Sequence, residues 1–561
     1  MRWVEYTAFL AIVLLLARPM GLYLARVCER ENTVLDPVMG PLERFFYRAL
    51  GVCPEREMSA GLYTLCLVLF GVGCMLALFL LLVLQRKLPG GPADAWLTTP
   101  MTPDLAVNTA ASFATGTTWQ AYAGESTLRY LLQLIGLVAQ NFMAGAAGLA
   151  AGFAFIRGIA RERSETIGNF WVDLIRSVLF VLLPLALIGS LFLMWQGVPL
   201  NLSPYTQAHT LEGPAQIIAQ GPVAALEFIK NLGTNGGGFF NANGAHPYAN
   251  PTPLTNFVGL LAIAVLPASL MITFGHMVGR PGAGWMLLAV MVVLFAMGLV
   301  VCDRAESRAP AISSQLLAGG NMEGKEVRFG VGGSVLTAMV TSNTATGSYN
   351  SMYDSYRPIG VLATLVPMLM GEVVFGGLGT GVFNILAAAL VGVFIGGLMI
   401  GRTPEYLGKK ITAAEIRWVA LYTILTPKVI LPLTAVAVAT SAGRAGLTTH
   451  AGPRGFTEIL FAFASSMANN GQAMAGLNAN SLFYNVATIV AMLAGRFGLI
   501  AIALALAGRF AAQTRRPITA GSFPSDTPTF GVLVLATIVL VGAVCFLPAL
   551  TLGPVLEFFQ H

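Results

Sequence analysis

Apolar runs of about 20 residues recur along almost the entire chain, and coiled as an α-helix a run of that length matches the roughly 30 Å hydrocarbon core of a bilayer. They fall at 3–24, 62–84, 128–156, 170–195, 254–278, 284–301, 416–439, 482–507 and 529–550. A glycine-rich stretch at 358–400 is long enough to cross once with a break inside it, which brings the expected total to about ten spans. The composition agrees: of 561 residues, 56% are hydrophobic and only 10% charged, well outside the range of a soluble domain. The expected fold is an all-α integral membrane protein, with 1–561 forming a single polytopic domain in the lipid bilayer. The first run is too long for a signal-peptide core and lacks a small-residue cleavage site, so it is expected to stay as a span.

Basic residues set the expected orientation. Alternate loops hold Arg26, Arg44, Arg157, Arg280, Lys409 and Arg515 with their neighbours. These loops belong inside if both termini lie outside. The same bias accounts for the net charge of +6 without any nucleic-acid partner. The six cysteines form no CxxC pair and the five histidines are dispersed, so neither set predicts a metal or catalytic centre.

Four segments on the outer side share one pattern: "SFATGTTWQAY", "LGTNGGGFFN", "SNTATGSYNS" and "MANNGQAMAG". Their glycines, Gly116, Gly236, Gly347 and Gly471, are spaced by 120, 111 and 124 residues. Such a period marks an internal fourfold repeat. A short amphipathic run precedes each glycine, at 103–113, 222–232, 334–342 and 457–467. About ten helical residues reach only about 15 Å, so these half-helices should enter the membrane and turn back. Pro103 and Pro222 suit a first helical position, and Ser334 and Thr457 could serve as caps.

Span, half-helix, polar turn and span make a membrane–pore–membrane unit. Four units should surround a pseudo-fourfold pore, with one further helix at each end of the chain. Non-helical backbone at membrane depth must be buried in protein or line a wet path, so the turns at 114–120, 234–241, 343–350 and 468–472 belong on the axis. Glycine lets successive carbonyls point inward, where they can replace the water around a dehydrated cation. Glycine also permits close helix packing, but four matched turns after four matched half-helices favour the ion path.

Longer stretches carry a family resemblance: "TNGGGFFNANGAHPYANPTPLTNF" at 234–257, "TATGSYNSMYDSYRPIG" at 344–360, "GRTPEYLGKKI" at 401–411 and "ANNGQAMAGLNANSLFYN" at 468–485. Over essentially its whole length the chain resembles the potassium-binding subunit of the bacterial Kdp potassium-transporting ATPase. The resemblance implies an architecture related to potassium channels and to the Trk and Ktr transporters. It implies a subunit of the bacterial cytoplasmic membrane that takes K⁺ as its transported ion and passes it to a separate P-type ATPase catalytic subunit, with two further small membrane subunits in the complex. Carried over, the K⁺ filter falls on Thr115, Gly116, Thr117, Thr118 and Gln120; on Asn235, Gly236, Gly237 and Gly238; on Thr344, Ala345, Thr346 and Gly347; and on Asn469, Asn470 and Gly471. Family members can carry asparagine where Gly116 and Thr118 stand. Gln120 could coordinate an ion or brace the first turn.

Glu372 and Arg496 sit in apolar runs, where an ion costs about 2.5–3.5 kcal/mol on insertion scales. Two readings stay open: groups facing the inner side of the pore, or a structural salt bridge. Gly376, Gly377 and Gly379 in the broken span could leave unpaired carbonyls beneath the filter and form an obstructing loop, anchored by Arg402; glycine-mediated packing is the alternative. Lys428 lies within snorkelling reach of an interface. The chain contains neither GxxxxGK[ST] nor DKTGT, so it is expected to bind no nucleotide and not to hydrolyse ATP by itself. The alternative function is a self-sufficient potassium channel or ion-coupled symporter of the Trk/Ktr type.

Overall fold

The computed structural model describes residues 2–88, 96–308, 320–399, 401, 404–516 and 524–560. Ten helices among them are long and apolar enough to cross a membrane. The first, Arg2–Glu29, docks on Pro253–Met277. Gly21 permits that approach, because a Cβ there would lie 2.7 Å from the Ser269 carbonyl, and the Thr273 hydroxyl donates to the Gly21 carbonyl at 2.9 Å.

Four units follow, each a span, a half-helix and a second span. The spans pair as Ala60–Lys87 with Leu132–Ala160, Phe170–Trp195 with Pro253–Met277, Pro281–Glu306 with Thr380–Met399, and Ala413–Ala439 with Leu482–Ala512. Pro528–Gln560 closes the chain, so the extra helix at each end is present as expected. In the third unit the returning span is broken: helix Pro358–Leu369 stops ten residues short of Thr380–Met399. The break holds Gly371, Glu372, Phe375 and Gly379 in left-handed backbone, with φ of 76°, 52°, 46° and 91°, conformations that no α-helix accommodates.

The half-helices run Pro103–Thr115, Val223–Leu232, Gly330–Asn343 and Gly452–Ala468. Their starts differ in detail from expectation. Pro103 does open its helix, but Pro222 is the residue before the first turn. Ser334 and Thr457 are interior residues and not caps, since the third and fourth half-helices begin at Gly330 and Gly452. The Thr457 hydroxyl instead donates back to the Pro453 carbonyl at 2.8 Å.

Three elements had no clear sequence signature. Asp36–Leu50 is an amphipathic helix that exposes Val38, Leu42, Phe45 and Phe46 beside Arg44 and Arg48, the pattern of a helix lying in a bilayer interface. Thr206–His209 pairs antiparallel with Ala215–Ile218 in a small hairpin. Glu405–Tyr406 pairs with Lys409–Lys410 in a smaller one.

A buried ion pair joins the first two units where Leu132–Ala160 ends and Phe170–Trp195 begins. Arg157 donates to both carboxylate oxygens of Asp173 at 3.0 Å, and also to the carbonyls of Ile167 at 2.7 Å and Cys28 at 3.0 Å. Tyr63 adds a hydrogen bond to Asp173 at 2.9 Å. One guanidinium thus ties the first span to two repeats. Asp173→Ala should strand it without its counter-ion and lower stability by about 3–5 kcal/mol, measured as a fall in the thermal midpoint of the purified protein in detergent.

Candidate ion-binding site

Within two residues of the last helical residue of each half-helix comes a residue with left-handed backbone, and a second left-handed residue follows two positions later. The pairs are Gly116 and Thr118 (φ 76° and 51°), Thr234 and Gly236 (52° and 91°), Ala345 and Gly347 (52° and 79°), and Asn469 and Gly471 (56° and 94°). This alternation fixes the register of the four turns. Thr118, and not Gly116, is the structural counterpart of Gly236, Gly347 and Gly471, which corrects the alignment drawn from the glycine spacing. Gly116 stands at the level of Thr234, Ala345 and Asn469.

The four turns close into a ring. A Cβ on Gly236 would lie 1.6 Å from the Thr346 carbonyl oxygen, one on Gly347 2.1 Å from that of Asn470, and one on Gly471 2.2 Å from that of Thr117. At these three seams backbone rests directly on backbone. The fourth seam is built from a side chain: the Thr118 hydroxyl donates to the Asn235 carbonyl at 2.5 Å and accepts from the Gly237 amide at 2.6 Å. Gln120 strengthens it, with its side-chain carbonyl accepting from the Gly238 amide at 2.9 Å and its amide donating to the Tyr122 hydroxyl at 3.3 Å. Gln120 thus makes bracing contacts on both sides of its amide.

Hydrogen bonds hold each turn from behind. Thr115 and Thr117 share a hydroxyl contact at 2.8 Å, and Thr344 and Thr346 one at 2.7 Å. Asn235 donates to the Asn141 carbonyl at 2.9 Å, and Asn469 donates to the Thr117 hydroxyl and the Met492 carbonyl, both at 2.9 Å. Sequence reading passed over a buried cation here. Lys230, wholly buried in the second half-helix, pairs with Glu227 at 2.8 Å and donates to the Asn243 side-chain oxygen at 2.6 Å. That fixes the Asn243 amide, which donates to the Gly236 carbonyl at 2.7 Å. The signal was a Glu–Lys pair three residues apart in an otherwise apolar run.

Beneath the ring lies a cavity lined by Gly116, Asn235, Ala345, Asn469, Glu372 and Arg496 among others. Glu372 accepts from Asn470, a turn residue, at 2.7 Å. Arg496 sits in a π-helical turn, Ala494–Gly498, and donates to the Ala144 carbonyl at 2.6 Å. Among the described residues neither has an ion-pair partner, so no salt bridge joins them.

The broken span passes through the same place. The Leu378 amide donates to the Thr234 hydroxyl at 2.8 Å, and a Cβ on Gly377 would lie 3.0 Å from that of Ala345. Gly379 fits against the first unit, where a Cβ would meet the Gly148 carbonyl at 1.8 Å, and Gly376 against Gly381, its Cβ 2.8 Å from that Cα. The Gly377 carbonyl is already used, accepting from the Gly381 amide at 3.0 Å and the Thr380 hydroxyl at 3.1 Å. Arg402 lies outside the described residues. A second cavity shares Gly371, Asn384, Tyr422 and Thr426 with the first and extends sideways to the last span.

Ten spans with four re-entrant half-helices define a class of pore-loop membrane proteins, and the fold is similar to that of the potassium transporter TrkH from Vibrio parahaemolyticus, with a TM-score of 0.52 at 14% identity over 88% of this chain and 96% of that one. Sequence comparison is more specific. Residues 7–559 match the family model described as potassium-transporting ATPase A subunit. Proteins named potassium-transporting ATPase potassium-binding subunit match at 48% identity in Methylorubrum extorquens, over 99% of this chain and 97% of the relative, and at 46% in Acidobacterium capsulatum, over 99% and 98%. The chain belongs to the potassium-transporting ATPase A subunit family.

The seam geometry ranks four substitutions. Gly236→Ala, Gly347→Ala and Gly471→Ala each drive a Cβ into backbone, adding overpacking of about 1–3 kcal/mol to a left-handed cost of about 1–2 kcal/mol. Gly116→Ala incurs the second cost alone, because its Cβ would meet no backbone and its tightest neighbour would be the Asn235 side chain, at 3.3 Å. Thermal melts of the four variants should therefore place Gly116→Ala nearest to wild type.

Proposed function

We propose that this chain is the potassium-binding and translocating subunit of an ATP-driven potassium importer in the bacterial cytoplasmic membrane. K⁺ is captured from outside in the ring of four turns, at Thr115–Thr118 with Gln120, 235–238, 344–347 and 469–471. Both termini lie on that side. The carrying observation is the closed ring, in which paired left-handed residues bring main-chain carbonyls from four chain segments together. Four carbonyl-bearing turns can replace the hydration shell of a large monovalent cation. The four half-helices end at the ring, so their C-terminal partial negative charges favour a cation there.

Below the ring, Glu372 and Arg496 do different work. Glu372, held by Asn470, supplies a negative group at the ring's lower edge, and the Arg496 guanidinium repels a cation moving straight on. The 371–379 segment occupies the axis between them. The ion is diverted through the lateral cavity by Asn384 and Tyr422 and handed to a separate P-type catalytic subunit. Two further small membrane subunits complete the assembly, and ATP is hydrolysed by the partner. A self-sufficient channel or symporter would need no such partner, and that difference separates the two readings.

The deciding experiment is a potassium titration of ATP hydrolysis by the complex copurified with this chain. Gly236→Asp, in an assembled complex, should shift the half-activating K⁺ concentration upward, and Thr118→Val should raise it by about tenfold through the loss of two hydrogen bonds worth about 1 kcal/mol each, partly offset by relaxation. Unchanged values in both would place the ring outside ion capture. Should no ATPase copurify and the chain alone carry K⁺ into vesicles, the channel or symporter reading holds.

Arg496→Met should open a leak, seen as K⁺ flux into vesicles that continues without ATP. Glu372→Gln should lower maximal K⁺-stimulated turnover by about tenfold, the effect of about 1.4 kcal/mol on one step. Transport and coupling intact in both variants would make these charges structural.

A further inference from the structure

Three side chains with metal-ligand chemistry converge on the face from which the half-helices enter, outside the ring. Asp354 lies in the short helical turn Tyr353–Ser355 that follows the third ring segment. His450 stands just before the fourth half-helix and Glu458 in its second turn. One ligand-capable atom of each lies within 4.8 Å of the other two. The imidazole Nδ1 of His450 is 2.8 Å from Glu458 Oε1.

Two carboxylate oxygens in this cluster are unspent. Glu458 is wholly buried, yet its Oε2 has no hydrogen-bond partner, and neither has the buried Oδ1 of Asp354. A buried acceptor left without a donor costs about 1–3 kcal/mol, more when charged, so two in one cluster call for a partner that can satisfy them. The neighbouring guanidinium is committed elsewhere: Arg454 donates to the carbonyls of Tyr353, Asp354 and Tyr356 and to Glu557.

The surrounding frame is pre-set. The Gly476 amide donates to the other oxygen of Asp354, and the Gly476 carbonyl accepts from the amide and hydroxyl of Thr448, both at 2.8 Å. A Cβ on Gly476 would lie 2.5 Å from Glu458 Oε1, so the chain passes directly over the carboxylate. The His450 side chain is 41% exposed, which leaves a route from solvent.

We propose that Asp354, His450 and Glu458 form a binding site for a first-row divalent cation of the zinc class. One imidazole and two carboxylates suit that class better than calcium, which prefers an all-oxygen shell. The two carboxylates neutralise the ion, and the His450 imidazole completes three protein ligands with a position open to solvent. The site links the segment that follows the third turn to the start of the fourth half-helix. Tyr353, adjacent to Asp354, accepts from Gln472 at 2.9 Å, and Gln472 is the residue after Gly471. A bound cation therefore ties together the outer supports of two ring segments. This inference does not depend on which ion the ring captures.

The test uses the assembled complex, stripped with chelator and titrated with zinc chloride by calorimetry, with metal counted by mass spectrometry after desalting. Wild type should bind one Zn²⁺ per chain and gain thermal stability on binding. His450→Ala removes an exposed side chain, so the complex should fold and hydrolyse ATP in response to K⁺ as before, with zinc affinity weakened by at least about tenfold. Glu458→Gln, which preserves shape, should weaken binding similarly. Absence of stoichiometric zinc in the wild type, or undiminished binding in both variants, overturns the proposal.

Discussion

Main-chain amides and carbonyls in a bilayer have no water to bond with, and the whole architecture answers that constraint. Four half-helices stop within the span-length bundle, and the chain must then run without helical hydrogen bonds until the next helix begins. The ring makes this possible by placing each segment against its neighbour at contact distances that exclude a side chain at three of four seams. The broken span is the same problem solved once more: its amides and carbonyls find Thr234, Gly381 and Thr380, and Gly148 and Gly379 let it press against the first unit. Ten spans then wrap the polar interior in apolar surface.

Most of this was legible because hydropathy and glycine both leave strong traces. Span positions follow from runs that must be about 20 residues long, and the break at 370–379 announces itself by its glycines. Half-helix ends at Thr115, Leu232, Asn343 and Ala468 lay within three residues of expectation. Starts were less visible: Ser334 and Thr457 have the right chemistry for caps, but the helices extend past them because tertiary packing overrides a local preference. The Asp36–Leu50 helix and the 206–218 hairpin were missed because a search tuned to long apolar runs is blind to short amphipathic ones.

The first turn shows the limit more sharply. Glycine was the only residue that advertised left-handed backbone, so the one glycine in T-G-T-T was aligned with the others. Thr118 adopts φ of 51°, a conformation that a β-branched residue rarely takes, and nothing in its identity marks that. Its two hydrogen bonds to the second turn compensate for the strain, and they exist only in the assembled fold. Lys230 is the opposite case: an ionisable residue in an apolar half-helix was visible, but its role behind Gly236 depended on Asn243, thirteen positions away.

The ring is fourfold in plan but not in its joints. Three seams are made of glycine, where any added side chain meets the neighbouring backbone, so a change there strains the ring. At the fourth seam a side chain spans the gap, and different side chains could span it to different widths. A chain built of four repeated units thereby keeps one joint whose width is set by a side chain and three whose width is set by backbone alone.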